Sequence, residues 1–183
     1  SGNDIAFDAT INSGKTLITI NPTNDFSSSQ VVYSAIGATV EDDANNVITA
    51  ISSTFTVADI VSPTIASGSL STDNSYLDIT MNEGVYNTNG GSGALDKLDF
   101  IITFAQNSGN ATAASISSIK NNSGNALSGG ESVIRINLSI TGTPSGVETI
   151  RLWTNDSIYD ASGNAMATSQ TTGAKTLNDK LAP

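Results

Sequence analysis

The chain contains no cysteine and no histidine. Without cysteine it has no disulfides and no thiolate metal sites, and without histidine it lacks the commonest general base and the commonest transition-metal ligand. No stretch approaches the roughly 18–20 apolar residues that a membrane-spanning helix needs. These absences exclude a disulfide-stapled domain and a metal centre built on cysteine or histidine, and we expect no membrane insertion.

Basic residues are also scarce. Lysine and arginine together number 7, against 17 aspartates and glutamates, which gives a formal net charge of -10. The few cations are scattered between Lys15 and Lys180. Because binding to a phosphate backbone needs a concentrated basic stripe, we expect no nucleic-acid partner. A surface rich in Asp, Asn, Ser, Thr and Gly suits solubility, hard cations or sugars.

The most informative feature present is an internal repeat. The segment TVEDDANNVI at 39–48 is echoed by SIYDASGNAM at 157–166, at an offset of 118 residues. Downstream, DIVSP at 59–63 is echoed by DKLAP at 179–183, at an offset of 120. Two echoes in the same order indicate a repeat of about 120 residues. The 183 residues therefore hold one complete copy and about half of another.

Short runs of alternating apolar and polar residues replace helical periodicity along the whole chain. We predict strands at 15–20, 30–35, 53–57, 76–81, 99–104, 115–119, 132–140, 147–153 and 171–177. In the longest run Ile134 and Ile136 should point inward and Arg135 should point outward. Such alternation favours antiparallel sheets with one wet face and one buried face.

The sequence therefore predicts an all-β fold of immunoglobulin-like antiparallel β-sandwich modules in tandem. Residues 1–62 form a partial repeat that carries only the C-terminal strands, and residues 63–183 form a complete repeat. Pro63 should stiffen the linker between them. Since half a sandwich leaves its core and edges open, we expect its missing strands in another chain, in a lost segment, or in a longer array. The opening Ser1-Gly2-Asn3 suggests an excised or processed piece.

Three motifs together resemble the bacterial Ig-like repeats of S-layer proteins and large secreted adhesins, including the repeat type named for a cyanobacterial swimming protein. They are the Asp-x-x-x-Pro linkers at 59–63 and 179–183, the strand ending MNEGV at 81–85, and the turn DASGN at 160–164. In the earlier copy Asn45 stands where the later copy has Gly163, and asparagine tolerates the left-handed backbone that such a turn requires.

The resemblance implies a non-catalytic structural protein at the bacterial cell surface or outside the cell, acting as a stalk, filament or spacer. Its partners would be neighbouring repeats of the same protein or identical subunits, or cell-surface glycans and proteins. Two alternatives stay open: a ligand- or carbohydrate-binding module, at an adhesin tip or beside an enzyme, and a phage or virion decoration domain.

The acidic turns suggest a calcium site between repeats, because calcium takes six to eight hard oxygen ligands. The candidate ligands are Glu83, Asp160, Asn164 and Asp179, with Asp42, Asn46 and Asp59 as the earlier equivalents. The competing interpretation is that Asp160 and Asn164 cap a tight turn through nearby backbone amides, and the residue pattern favours it. Paired carboxylates such as Glu83 with Asp78 or Asp96 occur in any acidic chain, so we expect no enzymatic activity.

Overall fold

The computed structural model describes residues 4–155 and 157–182, which divide into two compact units, Ser1–Ile60 and Val61–Pro183. The division lies two residues from the linker boundary that the sequence predicts. In the described ranges every regular element is a β-strand apart from one short 3-10 helix, which confirms the all-β class. Those ranges contain no helix long and apolar enough to cross a membrane.

The first unit consists of two antiparallel hairpins. Its strands are β1 (Phe7–Ile11), β2 (Ile18–Pro22), β3 (Val31–Ile36) and β4 (Ile51–Thr56). Within the described part of this unit, β1 pairs with β2 and β3 pairs with β4. The side chain of Asn12 closes the first hairpin by accepting hydrogen bonds from the backbone amides of Thr16 and Leu17, at 2.8 and 3.0 Å.

The second unit contains two antiparallel sheets. Its strands are β5 (Ile65–Leu70), β6 (Tyr76–Val85), β7 (Phe100–Ala105), β8 (Ala113–Asn121), β9 (Glu131–Thr141), β10 (Thr149–Thr154) and β11 (Lys175–Thr176), and the 3-10 helix is Lys97–Asp99. The order in one sheet is β5-β6-β9-β8, and in the other it is β11-β10-β7. Each neighbouring pair is antiparallel.

Alternate residues of both sheets meet in the core of the second unit. Leu77 from β6, Ile136 from β9 and Leu152 from β10 are each 0% exposed and belong to one hydrophobic cluster. The prediction for β9 is confirmed, since Ile134 is fully buried and Arg135 is partly exposed. Burial of one face from each sheet is consistent with a β-sandwich.

The largest differences between the strands and the sequence prediction are at three places. The structure adds β1 and β5, which the sequence analysis does not identify, and it shortens the last predicted strand to Lys175–Thr176. Before that short strand the chain still follows β10 through single contacts, such as the bridge between Trp153 and Thr171. The pairing there is interrupted, so the segment 171–174 is not a regular strand.

Candidate functional site

The turn at 160–164 is organised by the side chain of Asp160. Its Oδ1 accepts hydrogen bonds from the backbone amides of Ser162 and Asn164, both at 2.8 Å. Its Oδ2 accepts a third, at 2.7 Å, from the side-chain amide of Asn164. The carboxylate therefore satisfies donors that the turn would otherwise leave unpaired, as the capping interpretation predicts.

The turn at 42–46 repeats this arrangement bond for bond. Asp42 Oδ1 accepts from the backbone amides of Ala44 and Asn46 at 2.8 and 2.9 Å, and Asp42 Oδ2 accepts from the Asn46 side chain at 2.9 Å. Asn45 adopts a positive φ of 60°, and the equivalent Gly163 a φ of 91°. The expectation that asparagine can replace glycine at this position is confirmed.

The two turns differ in their surroundings. Asp160 is 1% exposed, whereas Asp42 lies on the surface. Hydrogen bonds from the Asn46 side chain, the Asn46 backbone and the Ala44 backbone lower the pKa of Asp42 below its ordinary value. The same turn motif therefore has a solvent-exposed aspartate in the first unit and a buried aspartate in the second.

Within the second unit the predicted ligand Glu83 also comes close to Asp160. Carboxylate oxygens of the two side chains lie within 4.8 Å of each other. Glu83 also accepts a hydrogen bond at 3.2 Å from the side chain of Asn82. Both acids therefore already have partners within the second unit, and their proximity alone does not define a metal site.

The linker aspartates lie away from these turns within their own units. Asn178, next to Asp179, bonds through its backbone and side chain to Asn74, two residues before β6 begins. Glu83 is near the other end of β6, so about 20 Å of strand separates it from Asp179. This separation arises because the chain runs back along β10 after the turn, so that Asp179 lies near the start of β10.

Asp59 has the equivalent position in the first unit. Its carboxylate accepts a hydrogen bond at 2.6 Å from Ser28, which precedes β3, whereas the Asp42 turn follows β3. Within each unit, therefore, the linker aspartate does not join the predicted ligands at the turn. The calcium hypothesis, which needs ligands from both a turn and a linker, stays a prediction.

The carboxylates of Asp78 and Asp96, which were considered for catalysis, form hydrogen bonds that stabilise the fold. Asp78 forms a two-point ion pair with Arg135, in which Nε and one terminal nitrogen of the guanidinium each lie 2.8 Å from a carboxylate oxygen. Asp96 caps the 3-10 helix by accepting from the backbone amide of Leu98 at 2.6 Å. Both carboxylates therefore have structural hydrogen-bond partners.

The sequence analysis missed the most buried carboxylate network. Glu148 is 0% exposed and accepts hydrogen bonds from the backbone amides of Ala111, at 2.8 Å, and Ser145, at 2.9 and 3.2 Å. A Cβ atom on Gly109 would overlap this carboxylate, so a larger residue would fit there only if the Glu148 side chain moved. The sequence repeat contains one indication of this network, because an offset of 118 aligns Gln30 with Glu148.

Burial raises the pKa of Glu148, but the hydrogen bonds from Ala111 and Ser145 outweigh it and lower the pKa to about 2. The group is therefore ionised at neutral pH although it is buried. Its equivalent Gln30 accepts a hydrogen bond from the backbone amide of Ser27 at 2.8 Å, which is the same bond in neutral form. The network holds a loop in place and offers no exposed reactive atom.

Comparison with protein-family models, with curated proteins and with solved structures gives no match.

Proposed function

We propose that the chain is a non-catalytic structural repeat of a large bacterial surface or secreted protein, and that it acts as a stalk or spacer. The observation that carries the proposal is the repetition of hydrogen bonds. Val57 donates its backbone N–H to the carbonyl of Gln30 at 2.9 Å, and Leu177 donates to the carbonyl of Glu148 at 2.8 Å. These pairs, like the two aspartate turns, are related by the offsets of the sequence repeat.

The strand order supports modules of the immunoglobulin-like type. In the second unit the first, second, fifth and fourth strands form one sheet, and the third, sixth and seventh form the other. This is the order of a constant-type immunoglobulin sandwich. In the same scheme β1 to β4 of the first unit correspond to the last four strands, which supports the proposal that the two units belong to one tandem series.

The path of the chain through the second unit also suits a stalk. Ile65, at the start of β5, pairs with Met81 towards the far end of β6. The chain leaves beside Asn74, at the other end of that strand. Because entry and exit lie at opposite ends of the strands, repeats joined in this way add length with each copy.

The linker is tied to both units by side-chain hydrogen bonds. Ser28 Oγ donates to Asp59 and accepts from the backbone amide of Ile60 at 3.0 Å. On the other side, Asn82 accepts from the backbone amide of Thr64 at 2.6 Å and donates to the carbonyl of Ser62 at 3.5 Å. Hydrogen bonds at both ends of the linker favour a stiff spacer over a flexible tether.

The spacer proposal is tested by the length of tandem polypeptides. Polypeptides with one to four copies of residues 61–183 should show a maximum dimension that increases by a constant step in small-angle scattering. The step should be about 35–45 Å, since the eleven residues of β9 extend about 36 Å. A dimension that grows only as the cube root of copy number would contradict a stalk.

Calcium binding stays a prediction, and its test is thermal unfolding of the full chain in EDTA and then in about 10 mM calcium. A site of about 0.1 mM affinity would be saturated about hundredfold and would stabilise the chain by about 2.7 kcal/mol. Glu83→Gln, which changes one of the predicted ligands, should remove this stabilisation. An unchanged midpoint would leave the aspartate turns as backbone caps.

The alternative of a ligand-binding module has one observation in its favour. Tyr86 and Tyr159 exchange backbone hydrogen bonds at 2.7 and 2.9 Å, so two aromatic residues that are distant in sequence stand side by side. Both are only partly exposed, and the Tyr86 ring packs against Gly129 and Gly130. This pair therefore supports a carbohydrate platform less well than the repeated hydrogen bonds support a spacer.

A further inference from the structure

The first unit exposes apolar faces whose pattern is that of a buried core. Along β1 the sequence Phe-Asp-Ala-Thr-Ile alternates strictly, and its apolar side chains share a face with Ile18 and Ile20 of β2. Yet Phe7, Ile11, Ile18 and Ile20 are between 42% and 57% exposed. A strand with this alternation usually packs its apolar face against another sheet, whereas this face is exposed.

The second hairpin has the same property. Val32 and Phe55 are directly opposite each other in the β3–β4 ladder and so lie on one face, as do Ile36 and Ile51. Val32 is only 7% exposed, but Phe55 is 47% exposed and Ile51 is 66% exposed. We call the exposed residues Phe7, Ile11, Ile18, Ile20, Ile51 and Phe55 the open face of the first unit.

The second unit provides a template for what completes such a face. There β10 is paired on one edge with β11 and on the other with β7, and β9 is paired with both β8 and β6. Among the described residues of the first unit, β3 is paired only with β4, and β2 only with β1. The free edges are the ones at which β7 and β6 would pair.

We propose that the open face is a docking surface for strands of this same repeat type, equivalent to β5, β6 and β7. The incoming strands would extend both hairpins by antiparallel pairing and cover the open face. The proposal rests on the proposed repeat function and names the partner that the first unit requires.

The register of β10 with β7 specifies the chemistry of the incoming strand. In the second unit Phe104, Ile102 and Phe100 stand opposite Ile150, Leu152 and Thr154, respectively. An offset of 118 places Val32, Ser34 and Ile36 at the three β10 positions. The docking strand therefore carries large apolar residues at alternate positions, and the residue opposite Ser34 fills space that Leu152 occupies in the second unit.

A second copy of this chain is a poorer occupant. Its strands β5 to β7 are already paired within its own second unit. Its first unit presents the same hairpins, so edge-to-edge pairing of two β3 strands would satisfy hydrogen bonds but leave both open faces uncovered. Only strands of the β5–β7 type close the edge and cover the face together.

The test uses the full chain with and without an added copy of residues 64–112 joined ahead of Ser1, and hydrogen exchange measured by mass spectrometry. In the chain alone, amides of β3 and β4 should exchange at least about 100-fold faster than those of β10. With the added copy, the β3 and β4 amides should slow by at least about tenfold.

Two adjacent isoleucines of β7 provide matched controls within the added copy. Ile102 points to the core and Ile101 is 55% exposed on the other side of the strand. Ile102→Asp in the added copy should abolish the new protection, and Ile101→Asp should retain it. Protection that is equal in both variants would overturn the proposal.

Three other outcomes also overturn it. In the first, the β3 amides of the unmodified chain are as protected as those of β10 at low protein concentration. In the second, the protection of the β3 amides increases with protein concentration. In the third, the added copy of residues 64–112 gives no added protection. The first outcome would show that the first unit is stable without a partner. The second would show that the chain dimerises, and the third would show that the open face binds an unrelated partner. In each case the scattering test of tandem polypeptides still decides the spacer function separately.

Discussion

The two units contain the same hairpin in two environments. The strand β3 and the strand β10 have the same length, begin after the same loop hydrogen bond and lead into the same aspartate turn. In the second unit the neighbouring sheet covers this segment, and in the first the inward face is largely exposed. Local sequence thus determines hydrogen bonding in the turn and the ladder, while strands distant in sequence determine burial.

This difference implies that stability is concentrated in the second unit. Hydrophobic burial is the main favourable contribution to folding, whereas hydrogen bonds add little net free energy when water can replace them. The described residues of the first unit have the hydrogen bonds of two hairpins without a comparable core. A two-stranded hairpin alone is marginal in water, so these elements depend on whatever covers them.

The largest expected effect comes from removing one core side chain in each unit. Ile136→Ala should lower the free energy of unfolding by about 2–5 kcal/mol, because Ile136 is 0% exposed and its removal leaves a cavity. Ile20→Ala, at a position that is 48% exposed, should cost less than about 1 kcal/mol. Urea denaturation of both variants measures the difference. Equal costs would show that Ile20 is covered in solution and would remove the contrast between the units.

A smaller effect should separate the two aspartate turns. Asp160→Ala removes a carboxylate that is 1% exposed and leaves the backbone amides of Ser162 and Asn164 and the Asn164 side chain without their acceptor, so we expect a loss of about 2–3 kcal/mol. Asp42→Ala breaks the same bonds on the surface, where water can replace the carboxylate, and should cost less than about 1 kcal/mol.

Thermal unfolding of the two alanine variants against the parent chain tests this expectation. Glu41→Ala, beside the surface turn, is the control for loss of an exposed charge. If Asp42→Ala proved as costly as Asp160→Ala, the hydrogen bonds themselves and not their burial would determine the contribution of the turn.

Much of the fold was predictable because it depends on local pattern. The alternation of β9 identified its core face, and the repeated residues of the turns predicted their shared geometry. The strand β5 was missed because its sequence, Ile-Ala-Ser-Gly-Ser-Leu, has too few apolar residues for an alternating pattern. The strand β1 does alternate, so its sequence pattern is sufficient to predict a strand at Phe7–Ile11.

The candidate site was less predictable because it depends on distant contacts. The bonds within the Asp160 turn span at most four residues, and the sequence indicated them. The burial of Asp160 and its proximity to Glu83 arise from pairing between Tyr86 and Tyr159, which no local pattern reveals. Glu148 is buried by the segment around Gly109 and Ala111, about forty residues earlier in the chain.

The smallest effect concerns pH and compares Glu148 with Gln30. Because the pKa of Glu148 falls from its ordinary value of 4.5 to about 2 on folding, the unfolded chain binds the proton more readily. The stabilisation is complete above about pH 4.5 and is lost as the pH falls towards 2. Glu148→Gln should reduce the dependence of unfolding on pH in that range by up to about one proton.

Urea denaturation at closely spaced pH values measures this dependence, and the other carboxylates cancel in the comparison between variant and parent. Gln30→Glu is the matched control, since it places the acid at the equivalent position of the first unit, where the segment that buries Glu148 has no described counterpart. It should change the pH dependence less than Glu148→Gln does. If both variants changed it equally, the loop hydrogen bond alone would lower the pKa, and burial by distant strands would have no part in the difference between the units.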